Sequence, residues 1–171
     1  MPNEVKQYWP EDLKGFCIGN EGYLLVQFED EEQPREIDTV KDVTLNFTTS
    51  TVDTSCRRSG RWKENLPIIN ELTIDAEMLF EDTETAVAQR LLKAAQRNEI
   101  FKIGAFTADG NGPWFYGCAT DMGRPEALED IVKLSGKYSL SRFIHWYDNA
   151  TDKSEGGEPH PGIAAGIIAA T

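Results

Sequence analysis

Few residues in this 171-residue chain combine the type and spacing that chemistry requires. Asp75 and Glu77 lie two apart in an extended segment, so their side chains share one face roughly 7 Å apart, a separation glycoside hydrolysis could use. Neighbouring acids on a solvated strand face account for the same pattern without any catalysis. Cys118 could be a nucleophile, but the aromatic run Trp114-Phe115-Tyr116-Gly117 beside it suits a buried, inert thiol better. His145 and His160 stand fifteen residues apart, with no cysteine or carboxylate at metal-ligand spacing. Gly110-Asn111-Gly112 lacks the strand–loop–helix context of a phosphate loop, and a hairpin turn explains it. No Gly-x-Ser-x-Gly sequence occurs. No catalytic, cofactor-binding or metal-binding residue is therefore expected.

A constellation of another kind remains. Residues 29–38, Glu-Asp-Glu-Glu-Gln-Pro-Arg-Glu-Ile-Asp, form an acidic loop; residues 57–63, Arg-Arg-Ser-Gly-Arg-Trp-Lys, form a basic one. Opposite patches on separate loops can meet head-to-tail between copies, the heterologous contact that builds rings and filaments. Both loops could equally be solvated or pair within one subunit. On the first reading Glu31, Glu32, Arg57, Arg58, Arg61, Trp62 and Lys63 are inter-subunit contacts.

The whole chain carries a formal net charge of −12. Phosphate backbones and anionic membranes repel such a protein, which argues against sequence-specific nucleic-acid binding. A surface that meets DNA without holding it fits that charge. Hydrophobic residues at 40% allow one packed domain and argue against disorder along the whole length. No apolar run approaches the roughly 20 residues that cross a bilayer, so no membrane partner is expected. Met-Pro-Asn-Glu at the start lacks the basic and apolar regions of a signal peptide, which predicts a cytosolic site of synthesis and assembly. Cys17, Cys56 and Cys118 are odd in number and widely spaced, as suits reduced, partly buried thiols.

The elements read as follows. Residues 1–15, with Tyr8 and Trp9, form an N-terminal arm; 16–147 form the β domain; 148–171 form a flexible tail. Tyr23 to Phe28 is a short apolar strand. Val43, Leu45 and Phe47 alternate with Thr44, Asn46 and Thr48 as in a half-buried strand, and Thr49–Ser55 reads as a turn or edge segment. Leu72, Ile74, Ala76, Met78 and Phe80 alternate with Thr73, Asp75 and Glu77 over a strand of about nine residues. A helix follows, capped by Asp82 or Thr83 with Glu84 in its first turn. Val87, Leu91 and Ala94 or Ala95 form its apolar stripe, widened by Ala88 and Leu92, and Arg97 and Asn98 end it. A strand over 100–106, the turn 109–112 and a strand over 114–120 make a hairpin. A long last strand carries Leu128, Val132, Leu134, Tyr138 and Leu140 on one side, where Asp130 and Gly136 weaken the pattern and Gly136 marks a bulge or bend. Residues 148–162, polar with Gly156-Gly157 and Pro159-His160-Pro161, read as mobile; the apolar Ile163–Ala170 tucks against the domain or a neighbour. The sum is a mostly-β (α+β) antiparallel sandwich or barrel with one flanking helix.

Three stretches resemble a known family. Val43-Thr-Leu-Asn-Phe-Thr-Thr-Ser-Thr-Val-Asp-Thr-Ser55, Gly60-Arg-Trp-Lys-Glu-Asn-Leu-Pro67 and Leu72-Thr-Ile-Asp-Ala-Glu-Met-Leu79 are similar to the major tail (tail tube) proteins of long-tailed phages, and the order of elements agrees to about residue 143. Ile68 stands where that family often has Gly, and the acidic loop and the tail after 148 have no counterpart. The resemblance implies hexameric rings stacking into a virion tail tube, through which double-stranded DNA passes without specific binding. It implies the tape-measure protein and tail terminator or baseplate proteins as partners, and no cofactor. Contractile-tail and secretion-system tubes share the implied fold. On that reading Asp75 and Glu77 are lumen-facing acids that repel phosphates. The rival from another class is a β-sandwich binding module for carbohydrate or protein, with Trp62, Trp114 and Trp146 as its platform.

Overall fold

Among the described residues, seven antiparallel strands pair in the order β2-β1-β5-β6-β7-β4-β3. They are β1 (Tyr23–Gln27), β2 (Arg35–Glu36), β3 (Val40–Asp53), β4 (Asn65–Leu79), β5 (Phe101–Phe106), β6 (Gly112–Gly123) and β7 (Lys133–Tyr147), with helices α1 (Val87–Gln96) and α2 (Pro161–Ala164). The computed structural model describes residues 22–60, 62–81, 86–125, 131–149, 151–154 and 157–167. Laid flat, six strand spacings would separate β2 from β3 by about 29 Å. Yet only Ile37, Asp38 and Thr39 join them, a link that reaches about 14 Å at most. The sheet must therefore curl. The link itself ties the curl: Ile37 N–H donates to Leu24 O at 3.0 Å, and Leu79 N–H donates to Thr39 O at 2.9 Å.

Curling encloses the main core. Leu24 and Val26 of β1 meet Ile74 and Met78 of β4, Ile103 of β5, Phe115 of β6, and Leu134 and Tyr138 of β7, all buried. Ala88, Leu91 and Ala94 of α1 close this core on one side. Each large side chain so buried contributes about 1.5–3 kcal/mol before chain entropy is counted. The expected mostly-β fold with a flanking helix is thus the observed one.

Local chemistry explains the elements. The run Leu24-Leu25-Val26 is continuously apolar because both of its faces are covered: Leu24 and Val26 join the main core, whereas Leu25 joins Phe106, Trp114 and Tyr147 in a second cluster. A strand buried on both faces loses its polar alternation. In β4 the expected face is the buried one, with Leu72, Ile74, Ala76 and Met78 inward. Helix α1 ends as read: Asn98 takes φ 54°, and the Asn98 and Glu99 N–H groups donate to Ala95 O and Ala94 O, the paired bonds of a Schellman stop. The expected caps Asp82, Thr83 and Glu84 lie outside the described residues, as do Tyr8, Trp9, Cys17, Leu128 and Asp130.

Three expectations require correction. The strand carrying Val43, Leu45 and Phe47 is exposed over nearly its whole length, not half-buried, because β3 is an edge strand with nothing beyond it. Gly136 marks no bulge: its pairing with Ala76 and Met122 is continuous. It is small because a Cβ there would meet Met122 Sδ at 2.8 Å and the Tyr138 ring. The irregularities of β7 sit elsewhere, at Trp114/Phe115, Tyr116/Gly117 and Ala119/Asp121 of its partner β6. Cys56, finally, is exposed, whereas Cys118 is half-buried.

The described residues between 148 and 167 fold back on the sheet. His160 is buried, and Ala165 and Ile167 pack against the second cluster.

Gly104 pairs with Leu25 on one side and Trp114 on the other. A Cβ there would collide with the Pro113 carbonyl oxygen and stand 2.7 Å from Trp114 Cε3. Gly104→Ala is expected to lower stability by about 1–3 kcal/mol, read as a lower urea midpoint at constant slope; an unchanged midpoint would mean that β5 and β6 are not held this closely.

Candidate assembly surface

The surface begins where pairing with β7 ends. β4 pairs with β7 only from Thr73 to Leu79, so residues 65–71 have β3 as their sole partner among the described strands. There the β3–β4 hairpin is a two-stranded ribbon that has parted from β7, whose residues 140–147 stay paired with β6. Such a ribbon has little stability by itself. Residues 65–71, to which the sequence pattern assigns no element, are strand.

Register sets its faces. Val43 lies opposite Ala76, Leu45 opposite Ile74 and Phe47 opposite Leu72, so these three point to the same side as the core. All three are nonetheless exposed, Val43 and Leu45 in part and Phe47 at 60%. Val52, Leu66, Ile68 and Ile69 extend the exposed apolar surface outward. Ile68 is the extra residue of a bulge, since Ser50 pairs with Ile69 and Thr51 with Pro67. Apolar groups grouped on one projecting ribbon mark an interaction surface.

The tip of the ribbon is basic and ordered. Thr54 N–H donates to Glu64 O at 2.9 Å, Glu64 N–H to Ser55 Oγ at 2.9 Å, and Cys56 N–H to Ser59 Oγ at 3.1 Å. Bonds from Ser55 hold the Asp53 carboxyl below its ordinary pKa, and the Ser59 hydroxyl does the same for the Cys56 thiol. Lys63 stands 3.7 Å from Asp53 in an exposed pair. Arg57 and Arg58, in the 3-10 turn Arg57–Ser59, have no carboxylate partner among the described residues. Trp62 is 83% exposed. Arg61 lies outside the described residues.

The acidic loop lies between β1 and β2, at the other end of the strand order. Among the described residues no hydrogen bond or ion pair joins it to the basic tip. Glu31 is engaged within the chain by Arg35, and Asp30 pairs with Arg90 at 3.3 Å. Glu32 is exposed.

Asp75 and Glu77 occupy the solvent side of β4, opposite the buried Ile74, Ala76 and Met78. With Asp42, Thr44, Asp121 and Lys137 they line an open groove. Asn46 Nδ2 donates to Asp75 at 2.6 Å, and Lys133 stands 3.5 Å from Glu77. The rival aromatic platform is dispersed: Trp114 is buried, Trp146 is tied by its Nε1 to Asn111 Oδ1 at 3.0 Å, and Trp62 sits at the ribbon tip.

The sequence matches no protein-family model and no curated protein. Solved structures do match. The tail of an empty gene transfer agent particle aligns with a TM-score of 0.67 at 15% identity, over 77% of this chain and 99% of that one. The SPP1 tail tube aligns with a TM-score of 0.57 at 11% identity, over 77% of this chain and 80% of that one. The chain has the tail-tube fold. The baseplate of the anti-feeding prophage is a more distant likeness, with a TM-score of 0.50 at 7% identity over 78% of this chain and 93% of that one.

Within the tail-tube fold, sequence reading found the basic tip but missed the extent of the exposed apolar ribbon around it. The stretch Thr48–Val52, β-branched but for Ser50, and the apolar Leu66–Ile69 were its signal. Since the chain leaves Phe47 uncovered, Phe47→Ser is expected to keep the stability of the isolated chain within about 0.5 kcal/mol while reducing self-association in sedimentation. A large stability loss would show that the chain buries this stripe itself.

Proposed function

We propose that this chain is a structural subunit of a phage-type tail tube, in which six copies close a ring and stacked rings form a conduit for DNA. The observation that carries the reading is β3, a strand of 14 residues at the sheet edge, whose core-side residues Val43, Leu45 and Phe47 stay exposed. A long exposed edge templates pairing with another chain, and closure into a ring removes it. The fold supports the same reading, and one structure of that fold is a particle tail with C6 symmetry.

In the proposed tube the ribbon reaches a neighbouring copy, with Arg57, Arg58, Arg61, Trp62 and Lys63 at its tip and Glu32 among the opposing acids. Glu31, already paired with Arg35, contributes mainly to the local field. The groove of Asp42, Asp75, Glu77 and Asp121 faces the lumen, where carboxylates repel phosphates and let double-stranded DNA slide. The tape-measure protein also passes through the lumen, and tail terminator or baseplate proteins are the further partners. Assembly takes place in the host cytoplasm and the product resides in the virion tail.

Reversing the tip charge with Arg57→Glu, Arg58→Glu and Arg61→Glu is expected to abolish tubes in negative-stain images while circular dichroism still reports a folded subunit; tubes formed as in the wild type would refute the contact. Asp75→Lys with Glu77→Lys should slow DNA ejection without blocking assembly. An image of the tube that places both side chains outside the lumen would end that assignment.

A further inference from the structure

His160 is the one buried polar or charged residue among those described, and nothing in tube assembly uses it. Both ring nitrogens are committed to backbone. Gly162 N–H donates to Nδ1 at 2.9 Å, and Nε2 stands 2.9 Å from Gly110 O. A carbonyl only accepts, so Nε2 carries the proton and Nδ1 is a bare acceptor. The ring is edge-on to Phe106 and Tyr147, each with centroids 4.7 Å away. It thereby fastens residues 157–167 to the β5–β6 turn and caps the start of α2. Downstream, Ala165 and Ile167 cover the cluster of Leu25, Phe106, Trp114 and Tyr147.

We propose that His160 is an acid-sensitive latch that holds the 157–167 strap over this second apolar cluster. Protonation would put a second N–H at Nδ1, directly against the Gly162 N–H, and would place a cation in a fully buried site. The ionisable groups around it do not rescue the cation. Asp152 is the acid with a resolved influence on it, but its carboxylate is bonded to His145 at 3.2 Å and to the Asp148 N–H. Glu158 and Asp152 act on Tyr147, which packs on the other side, and Asp109 neighbours Gly110 in the turn. Burial lowers the His160 pKa from its ordinary 6.5, with the Gly110 bond and Asp152 pulling weakly back. A released strap therefore binds the proton more readily than a docked one. Docking is strongest above pH 6.5 and weakens as pH falls below it, by about tenfold per pH unit for one proton, until the docked ring itself titrates.

Amide exchange of Ile163, Ala165 and Ile167 in the full chain, corrected for intrinsic rates between pH 7.5 and 5.0, reads the latch. Their N–H groups donate to His160 O, Pro161 O and Gly162 O, respectively. The wild type is expected to lose protection about tenfold per pH unit below 6.5. His160→Asn, which keeps a capping oxygen but cannot charge, should show no such slope, whereas His145→Gln should keep it. Should His160→Asn fail to dock at any pH, the wild-type carbon resonance of the His160 ring decides: it must leave the neutral Nε2–H position as protection falls. Flat wild-type protection, a slope that follows His145 instead, or a His160 ring still neutral after the strap has opened would overturn the proposal.

Discussion

The three residues between Glu36 and Val40 join the two ends of a seven-stranded sheet, and a tether that short leaves the sheet no flat conformation. Curling brings β1 over β4 and gives Leu24, Val26, Ile74, Met78 and Tyr138 a common interior. It also decides where the interior stops. The enclosed part of the β3–β4 hairpin is the part paired with β7, and that pairing stops at Thr73 opposite Ser139. Everything beyond is ribbon, exposed because it parts from β7, which continues against β6 to Tyr147, rather than because its residues are polar. Core and exposed apolar ribbon are thus two parts of one hairpin.

How much of this was legible follows from which side chains the chain itself covers. β4 was readable because its inward residues meet β1, β5, β6 and β7 in the same chain, so alternation and burial coincide. Asn98 was readable because a left-handed helix stop is a local event. Val43, Leu45 and Phe47 have the same alternation as β4 and even point to the same side, yet they are exposed. Periodicity reports which face is apolar, not whether anything lies against it. Residues 65–71 were hidden for another reason: Pro67 and the bulge at Ile68 interrupt the alternation, and charged residues precede them. His160 was hidden by its setting of Gly and Pro, whose turn signal masks a long-range bond to Gly110 that no sequence pattern encodes.

Charge is distributed to match this division. The excess of acid is spread over the body, and several acids are already engaged: Glu31 by Arg35, Asp30 and Glu99 by Arg90, Glu77 by Lys133. The unpaired cations Arg57 and Arg58 sit at the far end of the ribbon, the point most distant along the chain from its junctions with the body. Copies of a −12 chain repel one another at long range. In the proposed tube a cationic tip on each copy would offset that repulsion where it meets the acidic body of the next copy. Exposed pairs of this kind contribute little energy each, so in the proposed tube they select orientation while the apolar ribbon supplies affinity.

The two open edges of the sheet are unequal, and this constrains the kind of assembly. One edge, β3, offers 14 residues and the other, β2, offers two. A contact between a long edge with a basic tip and the acidic body of the next copy joins different surfaces of the same chain. Such a contact is heterologous, and repeated it either closes a ring or grows a helix. A two-fold pairing of β3 with β3 would instead close a dimer, but it would leave the acidic loop of each copy facing solvent and the body-to-tip complementarity unused. In the proposed tube, ring closure would use both, cover Val43, Leu45 and Phe47, and leave the Asp75 and Glu77 face of the sheet open.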